Sequence, residues 1–417
     1  MKTTIFRRFL SALGPGLITG AADDDPSGIA TYSIAGAQLG TSLLWMAWVT
    51  WPLMASVQMM CARIGMMTGQ GLAGALSKKF PKSILIIFCF ALLIANTINI
   101  AADLAGMADA AELLSGISSH WYVILFGLGI GYAIIKFRYH QIAGVLKWLA
   151  LSLFTYVITA FIIHPDWSWV ARQTFSLTLP RGTLAWETVV AILGTTISPY
   201  LFFWQAAQEV EEEKAAGRRM RLRHVEVSNV DLVDRKMDVG TGTFLSNIVM
   251  FFIILTTALT LHTHGLTNIT SSREAAEALR PLAGNLAMLL YTTGIIAVGL
   301  LAIPTLAGSA AYAFAETFEW SQGLDKKFKQ ARAFYAVIVL SVVCGVALDF
   351  LHINPLSALF WTAVINGLLA PFLLIGVFLV GRDKEIMRGK PSSPLSQISV
   401  TITTVLMFAA AIGMFAV

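Results

Sequence analysis

Charge is scarce in this chain. Of its 417 residues only 13% are Asp, Glu, Lys or Arg, while 56% are hydrophobic and the mean hydropathy is +0.71. That balance excludes a string of soluble domains and points to one integral membrane domain over 1–417. Cysteine is scarcer still. Cys61, Cys89 and Cys344 form no CxxC or disulfide-like spacing and sit in apolar runs, so packed thiols are expected. No cleavable leader is expected: Lys2, Arg7 and Arg8 precede an apolar segment that runs on through an acidic cluster, so the first span would direct its own insertion. The net charge of +5 is no nucleic-acid footprint, because Lys and Arg sort by side of the membrane. The partner implied is the lipid bilayer. No nucleic acid, no obligatory protein partner and no cofactor is indicated.

What stands out against this apolar background is Asp23-Asp24-Asp25-Pro26-Ser27-Gly28. Carboxylates inside a span cost roughly 2.5–3.5 kcal/mol each, so they mark a functional site by default. Pro26 and Gly28 unwind the helix there, and unwound backbone survives in a membrane only where it is buried in protein or lines a wet cavity.

Apolar windows predict about eleven spans: 10–37 broken at Pro26, 42–67, 83–114, 120–137, 143–163, 184–210 broken at Pro199, 238–262, 283–315, 332–351, 355–380 and 396–416. Alternate connections carry Lys78, Lys79, Lys82, Lys136, Arg138, Lys147, the Arg218 to Arg223 cluster, Lys326, Lys327, Arg382 and Lys384; the others hold only Arg172, Arg181, Arg273 and Arg280. The N-terminus is therefore expected in the cytoplasm of an inner-membrane protein and, with an odd span count, the C-terminus outside.

Thr195-Thr196-Ile197-Ser198-Pro199-Tyr200 interrupts the sixth span as the acidic stretch interrupts the first. Corresponding breaks in two five-span halves imply inverted repeats, about 10–163 and 184–380 with an extra helix at 396–416, and a secondary transporter whose site lies where the breaks meet. Asn96, Asn99, Asp103 and Gly106 share one face of the third span and outline a polar pathway or an interhelical network. Gln205, Gln208 and Glu209 follow the second break; Glu209 is read as marking a helix end in the headgroups. Asn247 and Asn366 are single polar residues in later spans that line the cavity or pack.

These residues resemble the NRAMP divalent-metal transporters. Gly14-Pro15-Gly16-Leu17, Asp25-Pro26, Ala62-Arg63-Ile64-Gly65, Thr68-Gly69, Ala102-Asp103-Leu104-Ala105 and Ala307-Gly308-Ser309-Ala310-Ala311-Tyr312 carry the similarity across nearly the whole chain. The resemblance implies an all-α LeuT-type fold with helices 1 and 6 broken. It also implies metal ligation at Asp25, Gly28, Thr195 and Ser198, and an ion pathway along Asp23, Asp24, Asn96, Asp103, Tyr200 and Gln205. There are departures. The family's Asp-Pro-Gly-Asn reads Asp25-Pro26-Ser27-Gly28, and its Met-Pro-His reads Ser198-Pro199-Tyr200. Losing a thioether removes a preference for softer metals, and a widened site suits a hydrated hard ion. The His pair of that family falls on Tyr200 and Gln205, and an acidic residue falls on Gly106.

The sequence thus leads to an importer of hard divalent cations by alternating access, Mg2+ with Mn2+ as companion, similar to the magnesium-transporting branch and without obligatory proton coupling. The alternative is a proton-coupled Mn2+/Fe2+ importer. An organic-solute carrier is disfavoured by three aspartates at the first break. An intramembrane aspartyl protease lacks its motif around Asp25 and Asp103, so no enzyme is expected.

Overall fold

The computed structural model describes residues 14–137, 153–178, 181–215, 229–351 and 353–416. Residues 10–13 and 143–152 of the expected spans lie outside them, as do Lys2, Arg7, Arg8, Arg138, Lys147 and the Arg218 to Arg223 cluster.

All regular structure among the described residues is helical. The first half holds α1 (Pro15–Asp23), α2 (Pro26–Leu39), α3 (Trp45–Thr68), α4 (Leu72–Leu76), α5 (Lys82–Ser115), α6 (Ser119–Lys136), α7 (Phe154–Ile163) and α8 (Trp167–Thr174). Beyond these come α9 (Thr183–Thr196), α10 (Pro199–Ala215), α11 (Asn229–Thr260), α12 (Ser272–Glu277), α13 (Arg280–Ala283), α14 (Ala287–Thr317), α15 (Arg332–Asp349), α16 (Pro355–Gly381) and α17 (Pro394–Ala416). Among the described residues eight helices are long and apolar enough to cross a membrane.

Most ends fall within a few residues of the apolar windows, and α11 shows why one does not. It begins at Asn229 instead of 238, because Asp231, Asp234 and Arg235 keep a hydropathy window from reaching its first turns.

The helices have two unlike faces. On α5, Ile87, Phe90 and Ile94 point outward at helical spacing while Asn96, Asn99 and Asp103 are buried. Exposed apolar side chains such as Leu125 and Leu128 on α6 suit hydrocarbon rather than water. Inside, small residues let backbones touch, the usual device where lipid gives no hydrophobic drive for helix association. A Cβ on Gly20 of α1 would fall on the Gly242 backbone of α11, and one on Gly194 of α9 would fall on the Ala363 carbonyl of α16. These two contacts seat the ends of α1 and α9 against neighbours that carry polar side chains into the interior.

Candidate metal-transport site

The first break is built by Asp25. Asp24 leaves the helical region at φ −81°, ψ 50°, and Asp25 is extended at φ −68°, ψ 171°, so α1 ends and α2 starts afresh. Asp25 is the N-cap of α2: its Oδ1 accepts from the Gly28 N–H at 2.8 Å and from the Ser27 hydroxyl at 2.6 Å. Pro26 follows at the first helical position, where its missing donor costs nothing. The carboxylate therefore spends one oxygen on the fold and keeps the other for the interior.

That second oxygen meets the third expected span. The side-chain amide of Asn99 donates to Asp25 Oδ2 at 3.2 Å and to Asp103 Oδ2 at 3.1 Å. Asn366 of α16 donates in turn to Asn99 Oδ1 at 2.9 Å. All four residues are buried, and Oδ1 of Asp103 and of Asn366 have no hydrogen-bond partner. Among the described residues no Lys, Arg or His forms an ion pair with Asp23, Asp24, Asp25 or Asp103. Asp23 and Asp24 are also buried, not in an aqueous loop, and approach one hydroxyl, Ser246 of α11, at 2.7 and 3.1 Å.

The second break lies against the first. Ile197 departs from helix at φ −123°, ψ 55°. The Ser198 hydroxyl is 2.7 Å from both the Gly194 and Thr195 carbonyl oxygens, which the end of α9 has released. A Cβ on Gly28 would come within 2.9 Å of Thr195 Oγ1, whose other neighbour is the Tyr32 hydroxyl at 3.3 Å. From the far side of the break, the Tyr200 hydroxyl donates to the Ala22 carbonyl at 2.9 Å. Asp25, Gly28, Thr195, Ser198 and Tyr200 thus gather where the two interruptions face each other.

Two expected pathway residues are held elsewhere. The Asn96 amide donates to the Leu306 carbonyl and Ser309 hydroxyl of α14 at 2.8 and 2.9 Å, and Gln205 donates to Glu209 Oε1 at 2.7 Å. Glu209 requires a correction. Read as a helix end in the headgroups, it is instead buried and lies 2.8 Å from the Arg235 guanidinium of α11. Arg235 also binds Glu212 and Asp238, and Asp238 accepts from the Gly14, Gly16 and Leu17 N–H groups at 2.8, 2.7 and 3.0 Å, capping α1. Sequence reasoning passed over Ser246, Arg235 and Asp238. For Arg235 and Asp238 the signal was charge at the start of a span, where a hydropathy window discards it; Ser246, in the middle of α11, gave none.

Among the described residues no three His, Cys, Asp or Glu side chains form a preformed metal cluster. A cation at the breaks would draw on mixed oxygens: carboxylate, hydroxyl, amide and released main-chain carbonyls, a donor set for Mg2+, Ca2+ and Mn2+. Buried charge and unwound backbone enclosed by membrane-length helices define a membrane transporter of cations.

The comparisons name the family. The Natural resistance-associated macrophage protein-like (Nramp) family model matches residues 16–416, and the chain belongs to that family. It is similar to the "Divalent metal cation transporter MntH" of Yersinia pestis (strain Pestoides F), 29% identical over 314 residues that make up 72% of this chain and 71% of the relative. It shares the fold of the Eremococcus coleocola manganese transporter, with TM-score 0.78 at 15% identity over 97% of this chain and 86% of that one. A Na+-coupled sialic acid symporter superposes with TM-score 0.50 at 11% identity, over 99% and 97% of the two chains. The protein is an integral-membrane metal-ion transporter, not an enzyme, with an all-α, multi-spanning fold.

These matches overturn the expectation of a magnesium carrier. They run to proteins named for divalent metal cations and for manganese, and so favour the alternative weighed beside it. The physical reason lies at Ser198. Its hydroxyl caps the end of α9, so exchanging a thioether for it closes a helix terminus and does not by itself mark a site for a hard, hydrated ion.

Proposed function

We propose that the protein imports Mn2+ by alternating access, coupled to protons, with the cation taken where the two breaks meet. The observation that carries this reading is Asp25 and Asp103 joined by one amide, buried beside the second break, in a chain of the Nramp family. Carboxylate, hydroxyl and carbonyl oxygens suit Mn2+, and the likeness to MntH transporters and to the fold of a manganese transporter supports that ion. In this reading Asp25, Thr195, Ser198 and the backbone at Gly28 hold the metal, and Asp23, Asp24, Asp103 and Tyr200 line its route. Asn96 serves packing, and Gln205 belongs with Glu209. Two inverted five-helix repeats, with α17 added outside them, would supply the two alternating states.

Purified protein in liposomes with an internal pH dye should take up Mn2+ with matching acidification, and a large excess of Mg2+ should compete poorly. Equal competition by Mg2+, or entry without protons that Asp103→Asn leaves unaltered, would count against this reading.

The orientation proposed places the N-terminus in the cytoplasm and the C-terminus outside, supported by the sorting of Lys and Arg. Epitope tags at the two ends, probed with antibody on intact spheroplasts, should expose the C-terminal tag alone. Detection of the N-terminal tag would reverse the assignment.

A further inference from the structure

Cations crowd the two loops that meet at the end of α16. Residues 77–82 and 382–393 carry seven Lys or Arg side chains against Asp383 and Glu385 alone. Positive charge beside a span needs no fixed geometry to orient a membrane protein, yet here the geometry is fixed. Ile386 and Met387 anchor the longer loop by burial. The Arg63 guanidinium of α3 donates to the Lys390 and Pro391 carbonyls at 3.0 Å each, and Arg388 donates back to the Thr68 carbonyl at 3.1 Å. Arg388 adopts φ 50°, a left-handed conformation that non-glycine residues seldom take, so the surrounding structure holds it there. Burial and the neighbouring Arg388 guanidinium push the Lys78 ammonium below its ordinary value, since a like charge held close disfavours the cation.

At this junction lies a cavity of about 570 Å3 lined by Lys79, Leu379, Arg382, Asp383, Lys384 and Glu385. Its two acids are not equivalent. Asp383 is consumed: Oδ2 accepts from Lys79 at 2.7 Å, and Oδ1 accepts from the Glu385 and Ile386 N–H groups at 2.9 and 3.1 Å. Among the described residues neither Arg382 nor Lys384 forms an ion pair, and the exposed Glu385 is the one carboxylate left to face them both. Arg382 lies over the Phe378 ring at 5.4 Å, which keeps its guanidinium at the helix end.

The apolar member of the lining leads into the membrane. Phe372, Ile375 and Leu379 follow one another at spacings of three and four residues, so they share one face of α16, and Phe372 and Ile375 are 54% and 41% exposed. Phe372 in turn walls an apolar groove of about 580 Å3 with Pro371 of α16 and with Phe408 and Ile412 of α17. A basic cavity and an apolar groove thus lie along one helix face, roughly 10 Å apart at the rise of an α-helix. A free anion has no use for the groove, and a neutral lipid has none for the cations. We infer that this face binds one anionic phospholipid, its phosphate held by Arg382 and Lys384 and one acyl chain laid over Ile375 into the groove at Phe372. In the orientation proposed above the lipid belongs to the cytoplasmic leaflet, where anionic headgroups meet basic loops. The loop it grips is tied to the end of α3 through Arg63 and Arg388, so a bound lipid braces α3 against α16.

Delipidated protein in detergent, offered phosphatidylglycerol and phosphatidylcholine with the same palmitoyl and oleoyl chains, should retain the anionic lipid about 25-fold better in native mass spectra, roughly fivefold for each of the two basic residues. Arg382→Gln combined with Lys384→Gln, both at exposed positions, should erase that preference. Ile375→Trp, which obstructs the path from cavity to groove, should lose the bound lipid although the loop cations are intact. Inorganic phosphate at millimolar concentration should not displace it. Displacement by phosphate would assign the cavity to a free anion and overturn the lipid reading, as would equal retention of the two lipids by wild type or an undiminished preference in the double variant. Unaltered protein gives a second measurement, independent of any variant's folding. Phosphatidylglycerol carrying a diazirine at the end of one acyl chain should crosslink chiefly to the peptides that hold Phe372 and Phe408, and crosslinks scattered over all the spans would overturn the inference.

Discussion

Asp25→Asn should lower Mn2+ uptake by more than ~100-fold while leaving a folded protein that is extracted and purified as wild type. The size follows from removing a charged ligand outright, when even outer partners of metal ligands are typically worth roughly 10–100-fold. Coulomb attraction also grows as the dielectric falls, so a full charge beside the cation counts most in a buried site. Asparagine is the informative replacement because Asp25 does two jobs. Its Oδ1 caps α2 through the Gly28 N–H, and Asn is about as good an N-cap as Asp. Its Oδ2 faces Asn99, and an amide nitrogen there forfeits one hydrogen bond, about 1 kcal/mol. Asp25→Ala loses the cap as well, about 0.5–2 kcal/mol more, so a transport defect in Ala alone would be a folding effect. Uptake by Asp25→Asn within a few-fold of wild type would place the ligand elsewhere. In the same assay, Asp23→Asn and Asp24→Asn should chiefly raise the half-saturating concentration, because both acids lie next to the site and share Ser246 instead of Asn99.

What the sequence could and could not show divides along a physical line. Helix positions were legible because burial in lipid imposes long apolar windows, and the breaks were legible because Pro26 and Pro199 interrupt them beside residues too costly to bury without purpose. Asp25, Gly28, Thr195 and Ser198 all fall at those two interruptions, and the family resemblance singled them out. The partners that fix them could not. Asn99 and Asn366 are 267 residues apart and touch, and nothing in either segment announces the other. Ser198 shows a related limit: residue type suggested a change of ligand, and only the geometry shows its hydroxyl 2.7 Å from the Gly194 and Thr195 carbonyl oxygens at the end of α9. Glu209 failed most plainly, because a hydropathy profile treats a charged residue near a span end as solvated and cannot see the guanidinium that compensates it.

That guanidinium sets the largest expected effect on stability. Arg235 is held against three acids from two helices: Glu209 and Glu212 of α10 and Asp238 of its own α11. Asp238 is fully buried and carries the end of α1 on three backbone donors. One side chain therefore fastens the half-helix before the first break and the half-helix after the second to the same support. Arg235→Ala leaves Glu209 and Asp238 buried without their cation, and breaking a buried pair from one side typically costs about 3–5 kcal/mol. Arg235→Lys should recover only part of this, since a point charge cannot reach three carboxylates with the fork of a guanidinium. Adding Glu209→Gln to Arg235→Ala should recover some of the loss by removing one uncompensated charge, a non-additivity expected of groups in direct contact. The measurement is thermal unfolding in detergent, followed by the monodisperse fraction after heating. A single-variant midpoint equal to wild type would show that the three contacts hold nothing in place. Equal losses in the single and double variants would show that Arg235 stabilises by packing its stem and not by its charge.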